Sequence, residues 1–219
     1  MNLSAELYQR YPMLKVCEQD IAAALSLMKE TYQNGGKILV CGNGGSCSDA
    51  QHIVGELMKG FLLKRPMTEA QKNAFTEALG KEDAENFASR LQRAVPAIAL
   101  DGMSALFTAY LNDADADYVY AQAVFGYGKP GDLLIGISTS GNSKNIVLAA
   151  KAAKALGVRT FSLTGAGESK LSALCDVTVR VPETETFKVQ ELHLPVYHYL
   201  CAETENTLIE RIFYEDNRS

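Results

Sequence analysis

The sequence lacks a surplus of basic residues. Its 219 residues contain 21 Lys and Arg against 26 Asp and Glu, which gives a formal net charge of −5 at pH 7. Without a basic field, a chain has nothing to hold nucleic acid or an anionic membrane surface by bulk charge. We therefore expect no nucleic-acid partner and no membrane partner. Any anion that the protein binds must therefore be held by a local arrangement of hydrogen-bond donors.

The sequence also lacks long apolar runs, a secretory leader and paired cysteines. No uninterrupted apolar run approaches the roughly 20 residues that span a bilayer, and the first residues contain no basic stretch followed by an apolar core. The five cysteines are Cys17, Cys41, Cys47, Cys175 and Cys201. An odd number without C-x-x-C spacing, mostly inside apolar runs, favours reduced thiols. We expect a cytoplasmic protein.

Short β-rich apolar runs alternate with helical patterns along the chain. Strands are predicted at residues 37–42, 95–100, 132–139, 158–165 and 176–182. Helical spacing is present at residues 14–37, 48–60, 143–157 and 189–213. This βαβα order favours a parallel sheet covered on both faces. The predicted fold class is α/β, a doubly wound three-layer sandwich with a five-stranded parallel sheet and long N-terminal and C-terminal helices.

Two Gly/Ser-rich turns follow predicted strands, and each opens a predicted helix. They read CGNGGS at 41–46 and STSGNS at 138–143. Glycine permits close backbone approach, and hydroxyls and free helix N–H groups can donate to phosphate oxygens without a basic side chain. The alternative is that Ser46 and Ser143 only cap their helices. Four hydroxyls in the six residues of the second turn exceed what capping requires, so together the turns predict a phosphate cradle.

The chain has only three histidines, and none falls in a predicted surface loop. His52 and Glu56 are four residues apart on one helix face, a spacing that allows shared metal binding or proton transfer. The alternative is an ordinary pair on a helix surface. His193 and His198 lie in the apolar segment VQELHLPVYHYL with Gln190. Since one further nitrogen ligand is enough for a metal, His193 is interpreted as the core residue of the two.

Four segments together resemble a known family. The turn CGNGGSCSDAQH, the loop GISTSGNS, the strand end LTG and the terminal VQELHLPVYH resemble the sugar isomerase (SIS) family, and within it the phosphoheptose isomerases. The resemblance covers nearly the whole chain. It implies the SIS fold, interconversion of sedoheptulose 7-phosphate and D-glycero-D-manno-heptose 7-phosphate, and a homotetramer with active sites at subunit interfaces. It also implies one divalent metal per subunit, usually zinc.

The resemblance assigns roles to matching residues of this chain. Its metal ligands correspond to His52, Glu56, Gln190 and His198, of which Glu56 and His198 are also the implied acid/base pair. Gln190 is counted among the substrate-binding residues as well. The implied phosphate contacts are Ser46, Ser138, Thr139, Ser140 and Ser143. Positions that line the sugar correspond to Asn43, Gly44, Gly45, Asn112 and Asp113.

The sequence departs from the family pattern in two places. Residues 67–94 replace a short connection with a charged stretch of helical periodicity, which predicts one or two extra helices inserted in a single SIS domain of residues 1–219. Phe187 stands where many relatives have an acidic residue, so that a carboxylate there would have to come from Glu185 or be absent.

Two questions stay open at the level of sequence. A non-catalytic SIS protein that binds a bacterial replication initiator, or an isomerase or sensor for another phosphosugar, is an alternative function. Glu56 and His198 favour the enzyme over the first of these. Gln190 and His198 would be separated by about 12 Å along one regular helix. Either Gln190 lies in an unwound segment, or the site is completed by a neighbouring chain, and we favour the shared site.

Overall fold

A five-stranded parallel sheet forms the centre of the fold in the computed structural model, which describes residues 2–216 and, among the side chains, those of residues 2–208. The strands are β1 (Ile38–Gly42), β2 (Ala97–Ala99), β3 (Leu133–Ile137), β4 (Arg159–Thr164) and β5 (Val177–Arg180). Their order is β2-β1-β3-β4-β5, and every neighbouring pair is parallel. The predicted fold class is confirmed, and each strand lies inside the run predicted for it.

Ten α-helices surround this sheet in the described residues. They are α1 (Leu3–Arg10), α2 (Glu18–Gln33), α3 (Gly45–Met58), α4 (Glu69–Leu79), α5 (Lys81–Ala88), α6 (Ser104–Asp113), α7 (Val119–Tyr127), α8 (Lys144–Ala155), α9 (Lys170–Leu174) and α10 (Thr186–Asp216). None of them is long and apolar enough to cross a membrane.

Alternate residues of the strands face two separate hydrophobic cores. On one face, Ile38 and Val40 of β1 pack with buried residues of α2, α3 and α10. On the other, Leu39 and Cys41 pack with buried residues of α7 and α8. Strands with both faces covered need apolar residues at every position, which explains the continuous apolar runs in the sequence. Helices therefore cover both faces of the sheet, which gives the three-layer arrangement.

The two terminal helical regions match the prediction in extent but not in every detail. The predicted N-terminal helix begins as a 3₁₀ helix at Pro12–Cys17, and regular α-helix starts only at Glu18. Cys17, with φ −101° and ψ 7°, leaves α-helical geometry and separates the two segments. At the other end, α10 is a continuous helix that contains Pro195.

The charged stretch at 67–94 forms the helix pair α4 and α5. A capping box between Thr68 and Gln71 starts α4, and Phe75 and Phe87 pack their rings 5.4 Å apart between the two helices. α4 contains no buried residue, and α5 buries only Ala84. The predicted helical structure is present, as two helices. That these helices are an insertion in a single domain of residues 1–219 stays a prediction.

The sheet has a switch point between β1 and β3. The chain leaves β1 for β2 on one side and then returns to place β3 on the other side of β1. Ligands of open α/β sheets bind beyond the carboxyl ends of the strands at such a point. The turns that follow β1 and β3 are the two Gly/Ser-rich turns of the sequence.

Candidate functional site

The two Gly/Ser-rich turns lie side by side, and hydrogen bonds join the first turn to the start of α8, the helix that the second turn opens. Gly42 and Ile137, the last residues of β1 and β3, are paired in register. Just beyond them, the side-chain amides of Asn43 and Asn145 exchange two hydrogen bonds of 2.9 Å. Asn145 was not among the predicted residues. The structure therefore brings together the two turns that the sequence predicts as one phosphate cradle.

The first turn has a shape that only glycine allows. Gly44 has φ +56°, and a Cβ atom at Gly45 would lie 2.5 Å from Nε2 of Gln190. Gly44 is also the N-cap residue of α3, and no side chain caps this helix. Ser46 is the buried second residue of α3. It is therefore not a capping residue, and the capping alternative fails for this turn.

The second turn presents its hydroxyl groups to one another. Ser138 is buried, and its Oγ lies 3.0 Å from Oγ of Ser143. Ser143 occupies the N-cap position of α8 but makes no side-chain capping bond. Thr139 is half-buried and Ser140 is exposed. These hydroxyls, with the N-terminal ends of α3 and α8, form an uncharged donor set that suits a phosphate group.

A second cluster lies on the later turns of α3 and on the facing part of α10. His52 Nε2 is 3.2 Å from Glu56 Oε1, and the rings of His52 and His198 are 5.0 Å apart and nearly perpendicular. Lys59 Nζ donates to Glu56 Oε2 over 3.1 Å. The side chain of Glu56 is only 14% exposed, so a carboxylate is held in a partly desolvated place beside two imidazoles.

His198 carries a nitrogen atom without a partner. Its Nε2 is buried and makes no hydrogen bond within the described residues. Burial lowers the pKa of His198, the neighbouring His52 lowers it further, and Glu56 opposes the change. A lowered pKa means that the neutral ring predominates at neutral pH. A buried ring nitrogen without a hydrogen-bond partner costs stability, and beside His52 and Glu56 this one is available to a ligand.

The donor chemistry of this cluster fits a divalent metal such as zinc. Two imidazole nitrogens and a carboxylate are usual zinc ligands, and the unpaired His198 nitrogen is available for one. Among residues 2–208, however, no three His, Cys, Asp or Glu side chains are placed so that one ion could contact them all. Within a single described chain, the cluster therefore supplies suitable ligands but not a finished coordination sphere.

Gln190 lies at the cradle and not at the cluster. Its amide contacts Gly45, the first residue of α3, whereas His52 is about 10 Å further along that helix. Gln190 is also part of the regular helix α10, so the unwound segment considered from the sequence is not present. His198 follows it by about 12 Å on the same helix.

A buried ion pair holds the end of α3 next to Glu56. Arg65 donates to Glu205 Oε1 over 2.6 Å, and also to the carbonyl oxygens of Leu57 and Glu56 over 2.6 and 2.9 Å. Glu205 in turn accepts the backbone N–H groups of Phe61, Leu62 and Leu63. Both charged side chains are essentially inaccessible to solvent. This pair fastens the turn of α3 that carries Glu56 to α10.

His193 lies in the core, as the sequence interpretation held. It is fully buried, and Nε2 is 3.3 Å from the carbonyl oxygen of Thr164. Burial lowers the pKa of His193 to about 4, so the ring is neutral. It is not part of the His52 cluster.

The remaining predicted positions are exposed. Asn112 and Asp113 lie at the end of α6, where Asn112 donates to Asp113 over 2.8 Å, and no hydrogen bond among residues 2–208 joins them to either turn. Phe187 is 56% exposed on the first turn of α10. Glu185 pairs with Lys188. A role for any of these residues stays a prediction.

Comparison with known proteins gives a consistent result. The sequence model described as "SIS domain" matches residues 12–92 and 81–165. The phosphoheptose isomerase of Nitratidesulfovibrio vulgaris (strain Miyazaki F) is 38% identical over 95% of this chain and 86% of that protein. The phosphoheptose isomerase of Rhodospirillum rubrum is 35% identical over 88% of both chains.

Two solved structures resemble this fold. The phosphoheptose isomerase GmhA from Neisseria gonorrhoeae matches with a TM-score of 0.69 and 32% identity over 90% of this chain and 93% of that one. A phosphoheptose isomerase from Francisella tularensis matches with a TM-score of 0.70 and 28% identity over 94% of this chain and all of that one.

Proposed function

The chain belongs to the SIS domain family, and from that premise we propose that it is an aldose–ketose isomerase that converts sedoheptulose 7-phosphate to D-glycero-D-manno-heptose 7-phosphate. One observation carries the proposal. A hydroxyl-rich cradle lies near the start of α3, and a Glu/His cluster lies near the end of the same helix. A non-catalytic SIS protein is not favoured, because Glu56 and His198 are both present and the two relatives reported above are phosphoheptose isomerases.

The reaction moves a proton between two neighbouring carbon atoms through an enediol. Glu56 is the proposed base, which takes a proton from C1 of the ketose and returns it to C2. His198, kept neutral by burial, is proposed to transfer protons between the two oxygens. The cradle is remote from the reacting carbons and holds the phosphate so that the substrate stays in register.

A divalent metal, most simply zinc, is proposed to bind His52, Glu56 and His198 together with Gln190 of a neighbouring chain, since Gln190 of the same chain lies at the cradle. The unpaired Nε2 of His198 and the partly desolvated Glu56 support this donor set. When bound, the metal would polarise the substrate carbonyl as a Lewis acid.

Metal removal tests this part of the proposal. We expect about one divalent ion per purified chain, and loss of isomerase activity on chelation without unfolding, because a catalytic site sits on a preformed scaffold. Activity and thermal unfolding are measured before chelation, after it and after zinc is restored. Full activity of protein shown to be metal-free would contradict the proposed ligand set.

We also propose a homotetramer whose active sites lie at subunit interfaces. Ser46 and Glu56 are about 15 Å apart along α3, and Gln190 is about 12 Å from His198, so cradle and cluster are separate within one chain. Exposed Leu62 and Leu194 beside His198 line an apolar groove of about 380 Å³ that suits a protein contact. A monomeric mass by light scattering under assay conditions would contradict the shared site.

The substitutions Ser140→Ala and Ser143→Ala test the cradle. Each should raise KM for the phosphosugar roughly tenfold while changing kcat little, because a phosphate contact acts alike on the ground state and the transition state. Ser26→Ala is the matched control, since the Ser26 hydroxyl only bonds to Ala22 O within α2. An unchanged KM in both cradle variants would count against phosphate binding there.

The same proposal places the protein in the cytoplasm. All five cysteines are described, and none forms a disulfide. Three of them, Cys17, Cys41 and Cys201, are buried. Reduced thiols are usual in that compartment.

A further inference from the structure

Tyr197 and Asp49 form a row of hydrogen bonds with His52, on the side of its ring away from Glu56. The Tyr197 hydroxyl is 3.0 Å from His52 Nδ1 and 3.2 Å from Asp49 Oδ1. Asp49 and His52 are three residues apart on α3, and Tyr197 comes from α10. Tyr197 is only 2% exposed, and its ring also packs edge-on against His52. The contact therefore joins the two helices that carry the cluster.

When Asp49 is ionised and Nε2 of His52 binds a metal, one set of hydrogen bonds satisfies all three groups. An ionised carboxylate can only accept, so Tyr197 O–H donates to Asp49. The single hydroxyl proton is then used, and the Tyr197 oxygen accepts from the Nδ1–H group of His52. A neutral imidazole with its proton on Nδ1 has its lone pair on Nε2.

Nε2 is the nitrogen that faces the cluster. It lies 3.2 Å from Glu56 Oε1, whereas Nδ1 faces the Tyr197 hydroxyl. With a metal ion between them, Nε2 of His52 and the Glu56 carboxylate can both direct lone pairs to that ion, and this row of hydrogen bonds then satisfies Nδ1; without the ion, Nε2–H would donate to Glu56 instead.

Simple core packing does not account for this row. Phe at position 197 would fill the same space without bringing a carboxylate out of water, and Asp49 Oδ2 is already buried without a hydrogen-bond partner within the described residues. A half-satisfied buried carboxylate costs stability. In metal sites, a carboxylate often fixes the orientation of a metal-binding histidine through the ring nitrogen that does not bind the metal. Such a role would offset the loss of stability.

We propose that Tyr197 and Asp49 are positioning residues that hold the His52 ring with Nε2 as its metal-binding nitrogen. Asp49 acts on Tyr197, and Tyr197 acts on His52, so neither touches the metal or the substrate. The inference rests on the proposed function, since that proposal assigns the metal to His52. It adds two residues to which the sequence analysis assigned no role.

The first experiment measures zinc affinity by competition with a chromophoric chelator. Tyr197→Phe should weaken zinc binding roughly 10- to 100-fold, the usual effect of losing a partner of a metal-bound histidine. Tyr199→Phe is the matched control, because it removes a hydroxyl from the same helix that contacts Ser4 and not His52. We expect wild-type affinity in that variant.

The possible results distinguish a failure of the proposed metal site from a failure of the positioning role. If the wild-type protein binds no zinc, the proposed metal site fails and the inference fails with it. If the wild-type protein binds zinc and Tyr197→Phe binds it equally well, only the positioning role is wrong.

A spectroscopic measurement excludes a merely structural role. The chain has only three histidines, so nitrogen-15 spectra of the zinc-loaded protein contain few ring signals. His52, assigned with His52→Ala, should show a metal-bound Nε2 and a protonated Nδ1 whose hydrogen exchanges slowly. Tyr197→Phe should make that exchange fast and leave His193 unchanged. Coordination of zinc through Nδ1 in the wild-type protein would overturn the inference.

Two substitutions of Asp49 give a graded test that does not depend on the Tyr197 variant folding. Asp49→Asn keeps an acceptor oxygen for Tyr197, whereas Asp49→Ala removes it. We expect zinc affinity to fall in the order wild type, Asp49→Asn, Asp49→Ala. Wild-type affinity in Asp49→Ala would show that the carboxylate does not act through Tyr197 and would contradict the proposal.

Discussion

Glu56→Gln is expected to lower kcat for isomerisation by roughly a hundredfold or more, as the loss of a general base does. The amide has almost the same shape as the carboxylate but cannot take up the proton from carbon. Binding of the phosphosugar should persist, because the cradle lies at the other end of α3. The measurement is steady-state kinetics at saturating zinc, since Glu56 is also a proposed ligand.

Glu77→Gln is the matched control for this prediction. It makes the same chemical change at an exposed position of α4, away from the cluster. We expect wild-type kinetics. If Glu56→Gln retained activity within a few-fold of the control, Glu56 would not be the base.

Arg65→Met should produce the largest loss of stability. It leaves the carboxylate of Glu205 buried without its cation and leaves the carbonyl oxygens of Glu56 and Leu57 without their donors. Breaking a buried ion pair in this way costs about 3–5 kcal/mol of the free energy of unfolding. For a chain of this length, that corresponds to a fall in the unfolding temperature of roughly 6–20 °C.

The control for Arg65→Met is Arg90→Met. Arg90 is exposed and contacts only nearby residues, Asn86 and Ser89, so its loss should change stability by less than about 0.5 kcal/mol. The measurement is the unfolding temperature of each variant compared with that of the wild-type protein. Equal unfolding temperatures would mean that the buried pair contributes little.

The strands and the cradle could be predicted because their signals are local. Each strand is a short apolar run with turns at both ends, and Asn43 and Ser138 follow strands directly. α7 was not predicted, since it is apolar on nearly every side and shows no helical alternation. The start of α2 was misplaced, because helical spacing continues through the 3₁₀ turn that ends at Cys17.

The supporting residues of the site could not be predicted, because their partners are far away in the sequence. No sequence motif includes Arg65 or Glu205, and only the packing of the segment after α3 against α10 buries them together. Tyr197 meets His52 across the same contact, 145 residues apart. The residues of the cluster follow from a motif, whereas the residues that orient them follow from the packing of two helices.

The central claim is that this chain isomerises a seven-carbon ketose phosphate. The most direct test is a coupled assay of aldose formation from sedoheptulose 7-phosphate, run beside five- and six-carbon ketose phosphates at equal enzyme and zinc concentrations. The account predicts conversion of the seven-carbon substrate with the highest kcat/KM of the three. No conversion of sedoheptulose 7-phosphate by folded, zinc-loaded protein, or a higher kcat/KM on a shorter sugar, would contradict it.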